Sequence, residues 1–351
     1  MASVQTPLHF GRYGSTIRGM SNGEVSAPIQ TTPGFWKSRK VIVTGGAGFL
    51  GRVVVEKLAA EGALVHSPRS AEVDLTRFGS AEKYFAQIAP SHVIHLAARV
   101  GGIGYNQVAP APLYLDNLLM GTYVIEAARA TGVEKTVLLG TVCSYPKFTP
   151  VPFNEKSLWD GYPEETNAPY GIAKKAHLIH AQVNAQQYGQ RFAYLIPTNL
   201  YGPGDKFHPS VSHVIPALIK KCVEAKESGA RTIDVWGTGS ASREYLYVHD
   251  AADAIVRAAE IHEGYEPINL GNDHEITIKE TVETVARLVG FTGDLVWDST
   301  KPDGQPRRRV DASFAASTLG WKARMSFEEG LRNTIEWYLA NREEAERDPG
   351  K

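Results

Sequence analysis

Cysteine is scarce: Cys143 and Cys222 are the two in 351 residues. They offer no disulfide framework, and a reducing compartment fits. An excess of one charge is also lacking. Lys and Arg number 37 against 38 Asp and Glu, so no global field recruits nucleic acid or an anionic membrane. No apolar run approaches the roughly 20 residues of a membrane span. The N-terminus lacks the charged start, apolar stretch and cleavage site of a signal peptide. These absences lead to the expectation of a cytoplasmic protein with no nucleic-acid partner, no membrane partner and no metal site. What is present, 43% hydrophobic and 21% charged residues, is ordinary for a globular chain large enough for a sizeable core.

Residues 1–37 are rich in Gly, Ser, Thr and Pro, with scattered aromatics at Phe10, Tyr13, Phe35 and Trp36. They read as a flexible extension, or as an arm packed on its own domain or on a partner subunit. From Lys40 the pattern changes. KVIVTG (40–45), ALVHSP (63–68), HVIHLAA (92–98), TVLLGT (136–141) and FAYLIPTN (192–199) read as strands. Helical stretches lie between them at 49–62, 79–88, 112–131 and 168–188. Apolar strands alternating with helices predict an α/β fold, a Rossmann-type doubly wound parallel sheet. Looser alternation after Gly202 predicts a smaller α/β C-terminal subdomain for substrate. It has strands at 232–237, 266–271 and 294–298 and helices at 213–228, 249–262, 277–289 and 326–341. The expected divisions are 38–202 for the dinucleotide domain, 203–341 for the subdomain and 342–351 for a polar tail, the chain crossing between the two substructures more than once.

TGGAGFLG (44–51) spaces Gly45, Gly48 and Gly51 as GxxGxxG between a predicted strand and a predicted helix. In that context Gly45 allows a tight turn, Gly48 lets backbone approach a pyrophosphate, and Gly51 lets helix and strand pack closely. The helix N-terminus supplies N–H groups and positive potential for the anion. The second strand ends in HSPRSAEVD (66–74), with no acid at the strand end to bind a ribose 2′-OH. Arg69 stands there instead and suits a 2′-phosphate, with Asp74 placed for the adenine edge. This favours NADP(H), with NAD(H) left open.

YGIAK (170–174) puts Tyr170 and Lys174 four apart, on one face of a helix. A lysine ammonium beside an oxidised nicotinamide is expected to lower the tyrosine pKa. The phenol can then exchange a proton with a carbonyl or alcohol oxygen while hydride moves at the attached carbon. Thr141, at a strand end, can hold the same oxygen. Cys143 follows two residues later in LGTVCSYP. A lone cysteine is ordinarily a small buried hydrophobe, and Cys222, mid-helix in PALIKKCVEA, is read that way.

Together these residues carry a resemblance. HLAARVGGIGYN (95–106), LGTVCSYP, PTNLYGPGDKFHPSVSHVIPAL (197–218), VWGTGSASREYLYVHD (235–250) and KPDGQPRR (301–308) are similar to the extended short-chain dehydrogenase/reductases. Within them they resemble the GDP-fucose synthase family of GDP-4-keto-6-deoxymannose 3,5-epimerase-4-reductases. The likeness runs through most of 40–321. It implies that Cys143 and His213 act as acid and base at C3 and C5 of the sugar. A C4 ketone acidifies both neighbouring carbons, and a thiolate base needs a nearby cation, a role open to His213. It implies cofactor contacts from Phe49, Leu50, Ala97, Lys174 and Pro197 besides the glycines. It implies a GDP-sugar site lined by Asn199, Lys221, Trp236, Arg243, Lys301 and Asp303, and a homodimer joined through the helices at 112–131 and 168–188. A GDP-sugar epimerase with transient C4 oxidation and no net redox change is the alternative activity. A silent dinucleotide-binding protein is the third. Two departures stand out: the family's GSSC is GTVC here, and its VDD is VHD with His249. Both are expected to crowd and dry the region beside C4 to C6.

Overall fold

The computed structural model describes residues 32–101, 103–209, 211–301 and 305–347. In chain order the first half runs β1 (Lys40–Thr44), α1 (Phe49–Ala60), β2 (Leu64–His66), α2 (Ser80–Ile88), β3 (His92–His95), α3 (Ile103–Val108), α4 (Pro110–Ala130), β4 (Lys135–Leu139), α5 (Ala168–Tyr188) and β5 (Phe192–Pro197). The second half runs β6 (Asn199–Tyr201), α6 (Val214–Ser228), β7 (Thr232–Trp236), β8 (Ser242–Tyr247), α7 (Val248–Ile261), β9 (Pro267–Leu270), β10 (Glu275–Thr277), α8 (Ile278–Val289), β11 (Asp294–Asp298), β12 (Arg307–Arg308), α9 (Ser313–Leu319), α10 (Phe327–Ala340) and α11 (Arg342–Ala345).

Six strands form one parallel sheet in the order β2-β1-β3-β4-β5-β9. Its strands are buried on both faces, which is why they read as unbroken apolar runs. In β1, Val41 and Val43 join a core with α1 and α7, while Ile42 joins another with α2 and α4. The strand order reverses between β1 and β3, and the crevice at such a switch point is where ligands bind in this architecture. The second substructure has its own core, drawn from α6, α8, α10, β7 and Tyr245 and Tyr247 of β8. β8 pairs with β6, β10 and β12. The chain does cross between substructures, because β9 returns to the main sheet after α7.

Two expectations change. Residues 242–247 are a strand, β8, unread in the sequence because it passes into α7 without a turn residue. The packed structure also begins before residue 38. Trp36 is fully buried in the β1–α1–α7 core with Phe35 against it, a burial worth roughly 2–3 kcal/mol. Phe10 and Tyr13 lie outside the described residues. Among the described residues no helix is long and apolar enough to cross a membrane.

Candidate active site

The loop after β1 is set by glycine geometry. Gly45 has φ +70°, and a Cβ there would stand 2.7 Å from the Ala97 amide nitrogen at the end of β3. At Gly51 a Cβ would stand 2.1 Å from the Gly45 carbonyl oxygen, so the first turn of α1 lies directly on the loop. Ala97 N–H donates to Thr44 Oγ1 at 3.3 Å, and Thr44 Oγ1 meets His95 Nδ1 at 2.8 Å. The N-cap of α1 is Gly48, with no side-chain cap and no acid in the first turn. The amides of Phe49 and Leu50 therefore face an uncapped helix end suited to an anion. Pro197 ends β5, buried beside Leu270 of β9.

Beyond β2, the Arg69 guanidinium is at the surface with no ion-pair partner among the described residues. The Glu72 carboxylate accepts the Arg69 backbone N–H at 2.8 Å. Asp74 accepts hydrogen bonds from Thr76 and Arg77, and those from Thr76 hold its carboxyl below the usual range. Ser67 Oγ, facing Gly46 at the end of β2, is buried without a hydrogen-bond partner. A dinucleotide fits this cradle: an uncapped helix start, an orphaned hydroxyl and an unpaired guanidinium.

β4 delivers the chemistry. Thr141 caps a short 3-10 turn, Val142–Ser144, its Oγ1 accepting the Cys143 N–H at 3.2 Å. The hydroxyl hydrogen remains to be donated elsewhere. Ser144 Oγ donates to the Gly171 carbonyl at 3.0 Å, and a Cβ on Gly171 would stand 2.5 Å from the Cys143 carbonyl oxygen. This contact seats the start of α5 on the cysteine turn and brings Tyr170 beside Cys143. From below, Tyr194 OH of β5 donates to the Lys174 carbonyl at 2.8 Å. Lys174 Nζ lies 5.7 Å from the Tyr170 ring centroid.

The electrostatics differ from expectation at two residues. Tyr170 is pushed up, by burial first and by negative charge at Cys143 second. Both effects act in the same direction, so the phenol of the chain alone keeps its proton at neutral pH. Lys174, 2% exposed, is itself lowered by burial to about 8. His95 and His177 sit nearby, buried and held below the ordinary histidine value by burial and by Lys174. His213 stands at the N-cap position of α6 and makes no side-chain cap hydrogen bond there. Water reaches its side chain, yet the cleft walls and Lys206 hold the imidazole below its usual value. It is therefore neutral and supplies no cation to Cys143. The guanidinium that does approach is Arg308, with Nη1 3.8 Å from Cys143 Sγ.

The remaining expected residues spread along the second substructure. Asn199 Nδ2 donates to the Glu244 carbonyl at 2.9 Å. Arg243 Nη1 donates to the carbonyls of Ser242 and Gln305, both at 2.7 Å. Lys221 is exposed and donates to the Asp234 carbonyl at 2.8 Å. Lys301 Nζ lies 5.5 Å over the exposed ring of Trp236. Asp303 lies outside the described residues. His249 does not crowd the sugar region as expected: it stacks on Tyr247 among Lys57, Glu56, Asp253 and Asp250. Cys222 is buried in the second core, its thiol pushed up to about 11.

Sequence reasoning missed Arg308, Ser67 and Asn117. Asn117 is buried on α4 and clamps Arg99 after β3, accepting its N–H at 3.0 Å and donating to its carbonyl at 2.8 Å. An amide inside an otherwise apolar helix face is a signal that was there to read. A cavity of about 270 Å³ between α1, α7 and residues 320–324 is separate from this site, and its acids and bases largely face one another, as in the Lys57–Asp253 pair.

Fold and cleft define a Rossmann-type enzyme that works with a nicotinamide dinucleotide. More narrowly, the chain belongs to the NAD dependent epimerase/dehydratase family, which matches residues 41–271. It is 45% identical to GDP-L-fucose synthase 1 of Arabidopsis thaliana over 306 residues, covering 87% of this chain and 94% of that one. It is 38% identical to GDP-L-fucose synthase of Escherichia coli K12 over 316 residues, covering 87% and 98%. Among solved structures, a GDP-L-fucose synthetase from Naegleria fowleri bound to NADP superposes with a TM-score of 0.81 at 29% identity, covering 92% of this chain and 99% of that one.

Proposed function

We propose that this protein is an NADP(H)-dependent 3,5-epimerase/4-reductase of a GDP-4-keto-6-deoxy-hexose or a related GDP-4-keto sugar. The observation that carries the reading is Cys143 beside Tyr170. A simple ketone reductase needs the tyrosine alone; a thiol next to it serves proton transfer at carbons flanking the ketone. The likeness to GDP-L-fucose synthases over nearly their whole length supports the substrate class. Likeness to an NADP-bound relative supports the cofactor.

In this reading Gly45, Gly48, Gly51 and the amides of Phe49 and Leu50 hold the pyrophosphate, with Ala97 and Pro197 lining the cleft. Arg69 and Ser67 take the 2′-phosphate and Asp74 the adenine edge. When bound, the dinucleotide supplies hydride to C4. Thr141 and Tyr170 hold the C4 oxygen. Cys143 and His213 move protons at C3 and C5 while the ketone is intact. Tyr170, protonated before reaction, then gives its proton to the C4 oxygen, and the neighbouring Lys174 stabilises the phenolate left behind. The likeness to GDP-L-fucose synthases supports net reduction over the redox-neutral epimerase. Arg243 and Lys221 are assigned to the GDP diphosphate, Trp236, Lys301, Asn199 and Asp303 to the nucleotide and sugar. We assign a homodimer to the exposed apolar residues of α4 and α5, among them Leu115, Ile179 and Val183.

The test is incubation with GDP-4-keto-6-deoxymannose in D2O, with and without NADPH, read by mass spectrometry and NMR. Deuterium is expected at C3 and C5 without cofactor turnover, and stoichiometric NADPH oxidation when it is added. Neither exchange nor oxidation would move the search to GDP-heptoses and non-keto GDP-sugars.

A further inference from the structure

Three arginines follow one another in and after β12. The outer two have carboxylate partners: Arg307 pairs with Glu275 and Arg309 with Asp273. Arg308, between them and half-buried, has none among the described residues. Its Nε and Nη2 both donate to the Gln305 amide oxygen, at 3.2 and 3.1 Å. That leaves Nη1 facing Cys143 Sγ at 3.8 Å. A guanidinium removed from water without a counter-charge is unfavourable, and the sulfur stands where the missing anion would be.

The backbone around Arg308 is tied on both sides. Arg308 stands opposite Arg243 in the parallel β12–β8 pair. Two residues on, Val310 N–H donates to the buried Glu244 carboxylate at 2.9 Å. Phe153 N–H donates to the Arg309 carbonyl at 2.8 Å, and Asp311 N–H to the Phe153 carbonyl at 2.9 Å. The guanidinium is thus fixed relative to the cysteine turn. Among the described residues, Lys174 faces the tyrosine ring, and Arg243, opposite Arg308, turns its Nη1 to the carbonyls of Ser242 and Gln305.

We infer that Arg308 is the positioning residue that stabilises the thiolate form of Cys143 when it acts as base. The inference rests on the reading of Cys143 as a proton-transfer group. In that step the C–H bond beside the ketone breaks and an S–H bond forms. The electron pair moves onto the C4 oxygen as an enolate. His213, which water reaches, takes a proton from solvent and delivers it to the opposite face of the enolate carbon, inverting the centre, and loss of the S–H proton to solvent restores the thiolate opposite Arg308.

The experiment is iodoacetamide alkylation of the full chain at pH 7.5 without substrate, followed by peptide mass at Cys143. The thiolate, not the thiol, attacks carbon and displaces iodide. Arg308→Gln is expected to slow modification of Cys143 about tenfold or more, and Arg308→Lys to stay within about threefold of the native rate, because it keeps the charge. A Gln variant as reactive as the native protein overturns the inference. So does a Lys variant as slow as the Gln variant. If Arg308 serves only a substrate phosphate, KM rises while alkylation is unchanged, and the inference also fails. Should the Gln variant not fold, Gln305→Ala, which frees the guanidinium from its anchor, is expected to slow alkylation by an intermediate factor. No effect there would count against the proposal equally. Alkylation involves no sugar, so a failure to turn over GDP-4-keto-6-deoxymannose is seen separately.

Discussion

Lys174 places a charge where charge is poorly solvated, and Lys174→Met tests what that costs. The ammonium is 2% exposed, has no carboxylate partner among the described residues, and its pKa falls from 10.5 to about 8 through burial alone. At roughly 1.4 kcal/mol per pH unit, holding it protonated in the fold costs ~3 kcal/mol. Below pH 8 the folded and unfolded chains both carry the proton and the full cost applies. Between 8 and 10.5 the unfolded chain binds the extra proton, so native stability rises with pH. Above 10.5 the cost vanishes. Methionine has a similar length and no charge, so Lys174→Met is expected to be more stable than the native protein while losing activity. The difference should be ~3 kcal/mol at pH 7, ~2 at pH 9 and under ~1 at pH 10. Urea unfolding of the dinucleotide-free proteins at those pH values measures it. A variant less stable than native at pH 7, or a gap that does not close with pH, would refute burial as the origin of the shift.

Other consequences are as direct. Gly171→Ala forces a Cβ against the Cys143 carbonyl, which is backbone and cannot swing aside; a loss of roughly 2 kcal/mol in urea unfolding is expected, with a fall in kcat as the cysteine turn and Tyr170 separate. Arg69→Ala should raise KM for NADPH about 10- to 100-fold and leave KM for NADH nearly unchanged; equal effects on both would remove Arg69 from the 2′-phosphate. Light scattering coupled to size exclusion should give twice the chain mass for the native protein, and one chain mass for Leu115→Glu combined with Ile179→Glu, since both residues are exposed on the paired helices.

Much of this was legible in the sequence where chemistry is local. The glycine loop is readable because a strand precedes it and a helix follows. Tyr170 and Lys174 are readable because helical spacing alone puts them on one face. Arg308 is different. It belongs to a two-residue strand and reaches Cys143 across 165 positions, so no spacing rule connects them. Ser67 becomes notable only once Gly46 closes over its hydroxyl. The surroundings of Tyr170 and His213 were less legible: sequence shows which ionisable groups are neighbours but not how much water is removed from them, and in the chain alone desolvation is the largest effect on both. Trp36 was assigned to the extension because its upstream neighbours are small and polar, although its own burial anchors the start of the domain.

Tyr170→Phe separates the two halves of the proposed reaction. Epimerisation needs the C4 ketone, since only a carbonyl acidifies the flanking C–H bonds, so reduction must come last. Through both stages the same oxygen faces Thr141 and Tyr170. During proton removal it carries enolate charge and needs hydrogen-bond donors. During reduction it needs a full proton, and the buried phenol is the group positioned to give it. Removing the hydroxyl therefore leaves the enolate with Thr141 as donor but leaves the alkoxide without its acid. The expected result is asymmetric: NADPH oxidation falls about 10²- to 10⁴-fold. Deuterium exchange at C3 and C5 should fall only about tenfold, the worth of one hydrogen bond to a charged oxygen. Equal losses in both assays would mean that Tyr170 organises the substrate rather than donating the proton. Exchange that survives intact would leave Thr141 as sole support for the enolate and predict that Thr141→Val stops epimerisation.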